Sequence, residues 1–290
     1  MANEKHTAAV QRAAFETAVL SNGMRVLVRP MPGFSGIHAV CGTAFGSVDA
    51  AFELDGTRVE VPAGTAHFLE HKMFESEEGD AFALYAATGA SANAFTSFDK
   101  TCYLFTATQQ VDESLDILLS MVNEPYFTRE TIQKEQGIIG QEIKMYDDSP
   151  DWRIMTGLFG CLYHNHPIRN DIAGTVESIA QITPEMLYDC CRGFYNPGNM
   201  VLAVAGNITT EQVLAACKRA KLIEITGGKR VIDKLRGSKR RFRGEFEIRM
   251  HRLVGFRNVI DARLGDLTRG EIARFEALLD LCRVHDRHII

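Results

Sequence analysis

The stretch Gly64-Thr-Ala-His67-Phe-Leu-Glu70-His71, which follows the turn signal Asp55-Gly56 and Pro62, decides the fold. Pro62 opens a predicted helix over 62–74, because the missing proline N–H costs nothing in a first helical turn. Each helical residue advances about 100°, so with His67 at zero Glu70 falls at about −60° and His71 at about +40°. All three share one face, with Phe74 in the same arc and Phe68 and Met73 beside it. Burying two imidazoles and a carboxylate among apolar groups is costly without a partner. A metal is such a partner: neutral imidazoles one turn apart both reach a single Zn2+ ion, and the carboxylate between them can take a proton from water. The order His-x-x-Glu-His is the inverse of the zinc motif His-Glu-x-x-His. A solvated His-Glu-His cluster on a helix surface fits the pentapeptide equally well, so a third ligand has to decide.

A second helix supplies a candidate. Thr128 starts the longest helical pattern, which runs to about Asp147 before Pro150 interrupts it. With Ile132 at zero, Ile139, Ile143 and Tyr146 lie within about 40°, while Ile138 and Met145 lie at about −120° and −140°. Glu135 and Glu142 fall at about −60° and −80°, between the two apolar groups. Carboxylates seven residues apart in an apolar arc call for positive partners, either a metal ion or basic side chains. Zinc suits Glu142, with Glu135 orienting a histidine or assisting proton transfer.

Around these helices the punctuation is that of an α+β unit of about 220 residues. Strands are expected over 24–29 after the Ser21-Asn-Gly23 turn, at Ile37–Thr43, over 91–97 and 101–108 joined through Phe98-Asp-Lys100, and over 199–205. Further helices are expected over 79–87 ending at Gly89, from a cap at Asp112 to Val122, from Thr183-Pro184, and from Thr210. Residues 227–245, with eight lysines and arginines among glycines, read as a basic linker, or as a patch for an acidic partner. Residues 246–290 hold one strand pattern and one helix, too little to bury a core alone, and read as the start of an incomplete second domain.

With 46% hydrophobic and 24% charged residues and a net charge of −5, the 290-residue chain reads as soluble and globular, with no default affinity for nucleic acid. No run approaches the ~20 apolar residues of a membrane span, and residues 1–15 lack the pattern of a secretory signal. Seven cysteines without a Cys-x-x-Cys pair point to a reducing compartment, with the cytoplasm as the expected location.

The residues quoted resemble the pitrilysin/insulinase family of inverted-zincin metallopeptidases, which includes the mitochondrial processing peptidases. His67-x-x-Glu70-His71 is followed by Glu135-x6-Glu142, and Glu142 stands 71 positions after His71, similar to the family's spacing. Gly89-Ala-Ser-Ala-Asn93-Ala94-Phe-Thr96 continuing to Thr101-Cys-Tyr103, then His166-Pro167, Gly174-Thr-Val-Glu-Ser178 and Tyr195-Asn-Pro-Gly-Asn199 extend the likeness over 16–220. It looks closest to the bacterial YfmH-like subgroup, whose name refers to aminopentanol modification of elongation factor P and states a genetic link, not a substrate.

The resemblance implies a metallopeptidase domain over 1–226, with His67, His71 and Glu142 binding zinc, Glu70 activating water and Glu135 in support. Asn93 and Ala94 match the segment that pairs with a substrate peptide by β-augmentation; read alone, Asn93 is a turn or strand-end residue. His164 and His166 are further ligand candidates, although their loop beside Pro167 favours a structural role. The family has two similar α+β domains in each half, and the halves close on the peptide, with an Arg/Tyr pair from the second half or a partner holding the substrate; no residue here is assigned to that pair. The expected function is a zinc-dependent endopeptidase acting on peptides or unfolded protein, with a paralogous family subunit or a second copy as partner. The alternative is a non-catalytic peptide-binding subunit, or an inactive truncated fragment of a two-subunit processing peptidase.

Overall fold

Six strand segments, most of them alternating between buried and open positions, build the sheet on which the helices pack. The computed structural model describes residues 15–77 and 79–220. The expected linker 227–245 and second-domain start 246–290 lie outside the described residues.

β1 (Glu16–Val19) and β2 (Arg25–Pro30) flank the 21–23 turn, where Gly23 takes φ 92°. β3 spans Ile37–Thr43, as expected. Asp55 and Gly56, both at positive φ, turn β4 (Ala51–Leu54) into β5 (Thr57–Glu60), a hairpin that the Asp-Gly pair announces. Helix α1 covers only Thr65–Lys72, shorter than the expected 62–74. Gly64, at φ 91°, blocks helix upstream, and Pro62 sits in a turn whose carbonyl accepts the Thr65 hydroxyl at 2.7 Å. The two-residue strands β6 (Glu75–Ser76) and β7 (Gly79–Asp80) follow, then α2 (Ala81–Thr88), closed by Gly89 at φ 73°.

β8 (Ser91–Thr96) and β9 (Thr101–Ala107) form the expected hairpin, in which Ser97 N donates to Lys100 O at 2.8 Å. Helix α3 (Val111–Asn123) is capped at Gln110 and not at Asp112. Asp112 lies in its first turn, where an acid favours the helix dipole, and meets Arg219 at 3.4 Å. Helix α4 (Arg129–Asp147) begins at Thr128 through a capping box with Thr131. Pro150 opens a further helix, α5 (Pro150–Leu162), which the sequence reading missed. The short α6 (Val176–Ile179), α7 (Pro184–Phe194), β10 (Met200–Gly206) and α8 (Thr210–Arg219) complete the order.

The main sheet runs β1-β2-β10-β3-β9-β8, with β10 parallel to β2 and the other pairs antiparallel. Register sorts its two faces, since residues directly opposite share a face. Val26, Leu202, Cys41, Tyr103 and Ala94 form one row, and its first four members are fully buried. The next row, Leu27, Ala203, Val40, Leu104 and Asn93, is half-buried and ends on exposed Asn93. β8 is an edge strand. α1 packs against β8, β9 and α4 on the face of the buried row, and α3 packs on β3 and β9. Among the described residues no helix is long and apolar enough to cross a membrane.

The N-terminus of α1 is set by a close backbone crossing. A Cβ on Gly64 would lie 2.4 Å from Ala173 O, and one on Gly174 would lie 2.4 Å from Ala63 O. Ser178 Oγ donates to Ala63 O at 2.7 Å across the same seam. Gly64→Ala should therefore be strongly destabilising, since left-handed backbone alone costs roughly 1–2 kcal/mol and the clash adds to it. The expected fall in thermal midpoint is about 4 °C or more. Gly137→Ala, exposed in α4 with open space around its Cβ, should instead stabilise by about 1 kcal/mol. Thermal unfolding of both variants checks the contrast.

Candidate metal centre

The facing sides of α1 and α4 bring the candidate ligands together. His67 Nε2 lies 3.7 Å from Glu142 Oε1, and His71 Nε2 lies 3.5 Å from Glu142 Oε2. The two imidazole rings stand 4.6 Å apart, inclined at 60°. One ligand atom from each of His67, His71 and Glu142 falls within 4.8 Å of the others, the group that could hold a metal ion among the described residues. These separations are too long for good hydrogen bonds. Nitrogen and oxygen donors sharing one tetrahedral ion at about 2.0–2.1 Å stand about 3.3 Å apart. The three side chains thus surround a gap that a cation suits. His67 Nδ1 is buried without a hydrogen-bond partner, so the protein does not fix that ring's tautomer, whereas a metal at Nε2 would.

Glu135 approaches His71 from behind: its Oε1 lies 2.9 Å from His71 Nδ1, which leaves Nε2 turned to the centre. Burial lowers the pKa of His71, but the bond to Glu135 and the charges of Glu70, Glu135 and Glu142 more than offset this, and the net shift is upward. His67 Nδ1 has no such bond, and the charges of Glu142 and Glu135 raise this imidazole by less than its burial lowers it. Burial, with the neighbouring His71 charge, lowers it to about 4. Glu70, only 7% exposed, has its carboxyl raised by burial, while Thr96 donates its hydroxyl to Oε2 at 2.7 Å and partly counters the shift.

These groups line an open cleft of about 330 Å³ whose walls also include Thr96, Tyr146, Trp152 and Asp171. Glu70, Glu142 and Asp171 face it, and among the described residues no lysine or arginine lines it. Asn93 and Ala94 border it from the sheet edge, with Ala94 N donating to Asn93 Oδ1 at 2.9 Å. Asn93 is mid-strand, not the strand end that its residue type suggests. His166 Nδ1 accepts from Ile168 N at 3.2 Å and caps a short 3-10 turn, and exposed His164 stays outside the ligand group.

The wheel of α4 is only half as expected. Ile132 and Ile139 are buried beside Glu135, but Ile138 and Met145 are exposed, so the carboxylates sit at the edge of the apolar face. Sequence reasoning singled out neither Trp152 nor Asp171 and gave Tyr146 only a packing role. The phenol of Tyr146 donates to Glu142 Oε1 at 2.9 Å, and burial with that bond pushes its pKa up to about 12. The signal available was the chain's single tryptophan, two residues past the proline that ends the ligand helix.

In the metal-free protein, NMR titration of the histidine rings should find His71 above 6.5 and His67 near 4. Glu135→Ala should lower the His71 value, because the bond that favours its charged form is gone. An unchanged His71 titration would contradict that contact.

The chain is similar to known proteins in sequence and in fold. Residues 55–176 match the family described as Insulinase (Peptidase family M16), and residues 181–242 match the Peptidase M16 inactive domain. The chain is 50% identical over 198 residues to the uncharacterized zinc protease YmfH of Bacillus subtilis (strain 168), covering 68% of this chain and 46% of that protein. The uncharacterized zinc protease YmxG of the same organism is 34% identical over 161 residues, 53% of this chain and 39% of that one. The crystal structure of an M16-like protein from Alicyclobacillus acidocaldarius superposes with a TM-score of 0.70 at 43% identity, over 75% of this chain and 51% of the other. The chain spans about half the length of these relatives. With its fold, its His-x-x-Glu-His helix and these matches, the chain belongs to the pitrilysin/insulinase (M16) family of peptidases.

Proposed function

We propose that this chain is the zinc-bearing part of an endopeptidase that hydrolyses bonds in peptides or unfolded protein segments. The observation that carries the reading is the convergence of two imidazole nitrogens and one carboxylate within 4.8 Å, with Glu70 in the same helix turn as His71. Two nitrogens and a carboxylate oxygen form the donor set of catalytic zinc, with one position left open. The names of the relatives as zinc proteases support the choice of metal.

Zinc held by His67, His71 and Glu142 supplies Lewis acidity, acidifying water and polarising a carbonyl. Glu70 takes the proton from the attacking water and hands it to the amine as the C–N bond breaks. Its burial suits this role by raising its proton affinity, and the Thr96 hydroxyl fixes one of its oxygens. Glu135 keeps His71 Nε2 aimed inward. The open edge of β8 offers backbone groups to an extended peptide, with Asn93 and Ala94 at the contact, once Asn93 Oδ1 releases the Ala94 N–H. We assign residues 1–226 to this peptidase domain, and a paralogous subunit or second copy to the facing wall. The six described cysteines are free thiols, in keeping with a cytoplasmic site of action.

Plasma mass spectrometry should find about one zinc per wild-type chain, lost in His71→Ala and Glu142→Ala. Glu70→Gln should keep the zinc and lose hydrolysis by about 10²–10⁴-fold. Undiminished turnover in that variant would sink the mechanism, and peptide binding without hydrolysis in the zinc-loaded wild type would select the non-catalytic alternative.

A further inference from the structure

Helix α5 contributes no buried residue to the core, although it carries Trp152, Ile154, Leu158 and Phe159. Its first turn is nevertheless tied at two points. The indole of Trp152 stacks on Tyr146 with centroids 5.1 Å apart and planes at 27°. Its Nε1–H donates to Asp171 Oδ2. Asp171 in turn accepts from Ala173 N through Oδ1 at 2.9 Å and from Gly174 N through its carbonyl at 3.0 Å. That loop abuts Gly64, the residue from which the histidine helix starts.

At the other end of this chain of contacts, Tyr146 lies one turn beyond Glu142 and donates to its Oε1, leaving Oε2 the oxygen nearer His71. A glutamate carboxylate rotates broadly about its last torsion, so a ligand held by its stem alone is poorly oriented. A fixed phenol removes that freedom. The phenol is fixed because its ring is clamped by the indole, and the indole because Asp171 anchors it to the seam beside α1.

We propose that Tyr146 is a positioning residue for the third metal ligand, and that Trp152 and Asp171 brace it so that the α4 carboxylate and the α1 imidazoles keep one register. This deepens the zinc reading and rests on it. Outer hydrogen bonds to ligating carboxylates tune metal affinity by about 10–100-fold. The phenol holds no core contact that its hydroxyl alone supplies, so its removal can be read apart from folding.

The test measures zinc affinity of the full chain by competition with a chromogenic chelator, for the wild type, Tyr146→Phe and Trp152→Phe. Thermal unfolding of each metal-free protein and visible spectra of the cobalt(II)-loaded forms accompany it. Tyr146→Phe should bind zinc about 10–100-fold more weakly, with the metal-free midpoint unmoved and the cobalt ligand-field bands altered. Trp152→Phe, which keeps a ring but loses the donor to Asp171, should show a smaller loss of affinity. Affinity within twofold of wild type in Tyr146→Phe would overturn the proposal, as would a loss matched by an equal fall in metal-free stability. A wild type that binds no zinc would overturn this and the metal reading together.

Discussion

Two helices are packed so that charged groups meet where water is scarce. His67, Glu70 and Glu135 are each less than a tenth exposed, and Glu142 and His71 close the same space. Carboxylates at this depth cost several kcal/mol each unless a positive charge compensates them. Among the described residues the cleft provides no lysine or arginine for that purpose. The imidazoles are not equivalent substitutes: burial outweighs the carboxylates at His67 and drives it toward neutrality, whereas at His71 the bond to Glu135 helps tip the balance toward the charged form. The charge imbalance and the unfilled spacing between donors make the same demand, a cation at the point where α1 and α4 face each other.

The rest of the fold can be understood as holding that juxtaposition. The crossing of 63–64 with 173–174 leaves no room for side chains and sets where α1 begins. At its other end Lys72, fully buried, pairs with Glu75 and ties the helix to the short β6-β7 hairpin. Thr96, at the end of the edge strand, connects Glu70, the proposed base, to the strand proposed to carry a substrate. In the proposed function, proton transfer, ligand orientation and peptide docking would share one border between a helix and a sheet edge.

Much of this was legible in the sequence. The strand Ile37–Thr43, the 91–107 hairpin and the Thr128 start of α4 follow from alternation, turn chemistry and helical geometry, while the spacing from His71 to Glu142 was legible through the family resemblance. What escaped had weak local signals. β1 and β4 are four-residue strands whose existence depends on their partners. α5 was hidden because Pro150 looks like a stop when it is also a start. Gly64 shortens α1 through a contact with a loop more than 100 positions away, which no local pattern encodes. The contact from Tyr146 to Glu142 was within reach, being one turn along a helix, but an aromatic in an apolar arc reads first as packing.

The family matches extend over roughly half of each relative. The centre itself is a property of α1 and α4, and it can be tested directly. X-ray absorption at the zinc edge of the purified, zinc-loaded chain should give a mononuclear centre with two imidazole nitrogens and carboxylate oxygen, and that signal should be lost in His71→Ala, which keeps no zinc. A zinc signal unchanged by that substitution, or dominated by sulfur, would place the metal elsewhere and contradict the account.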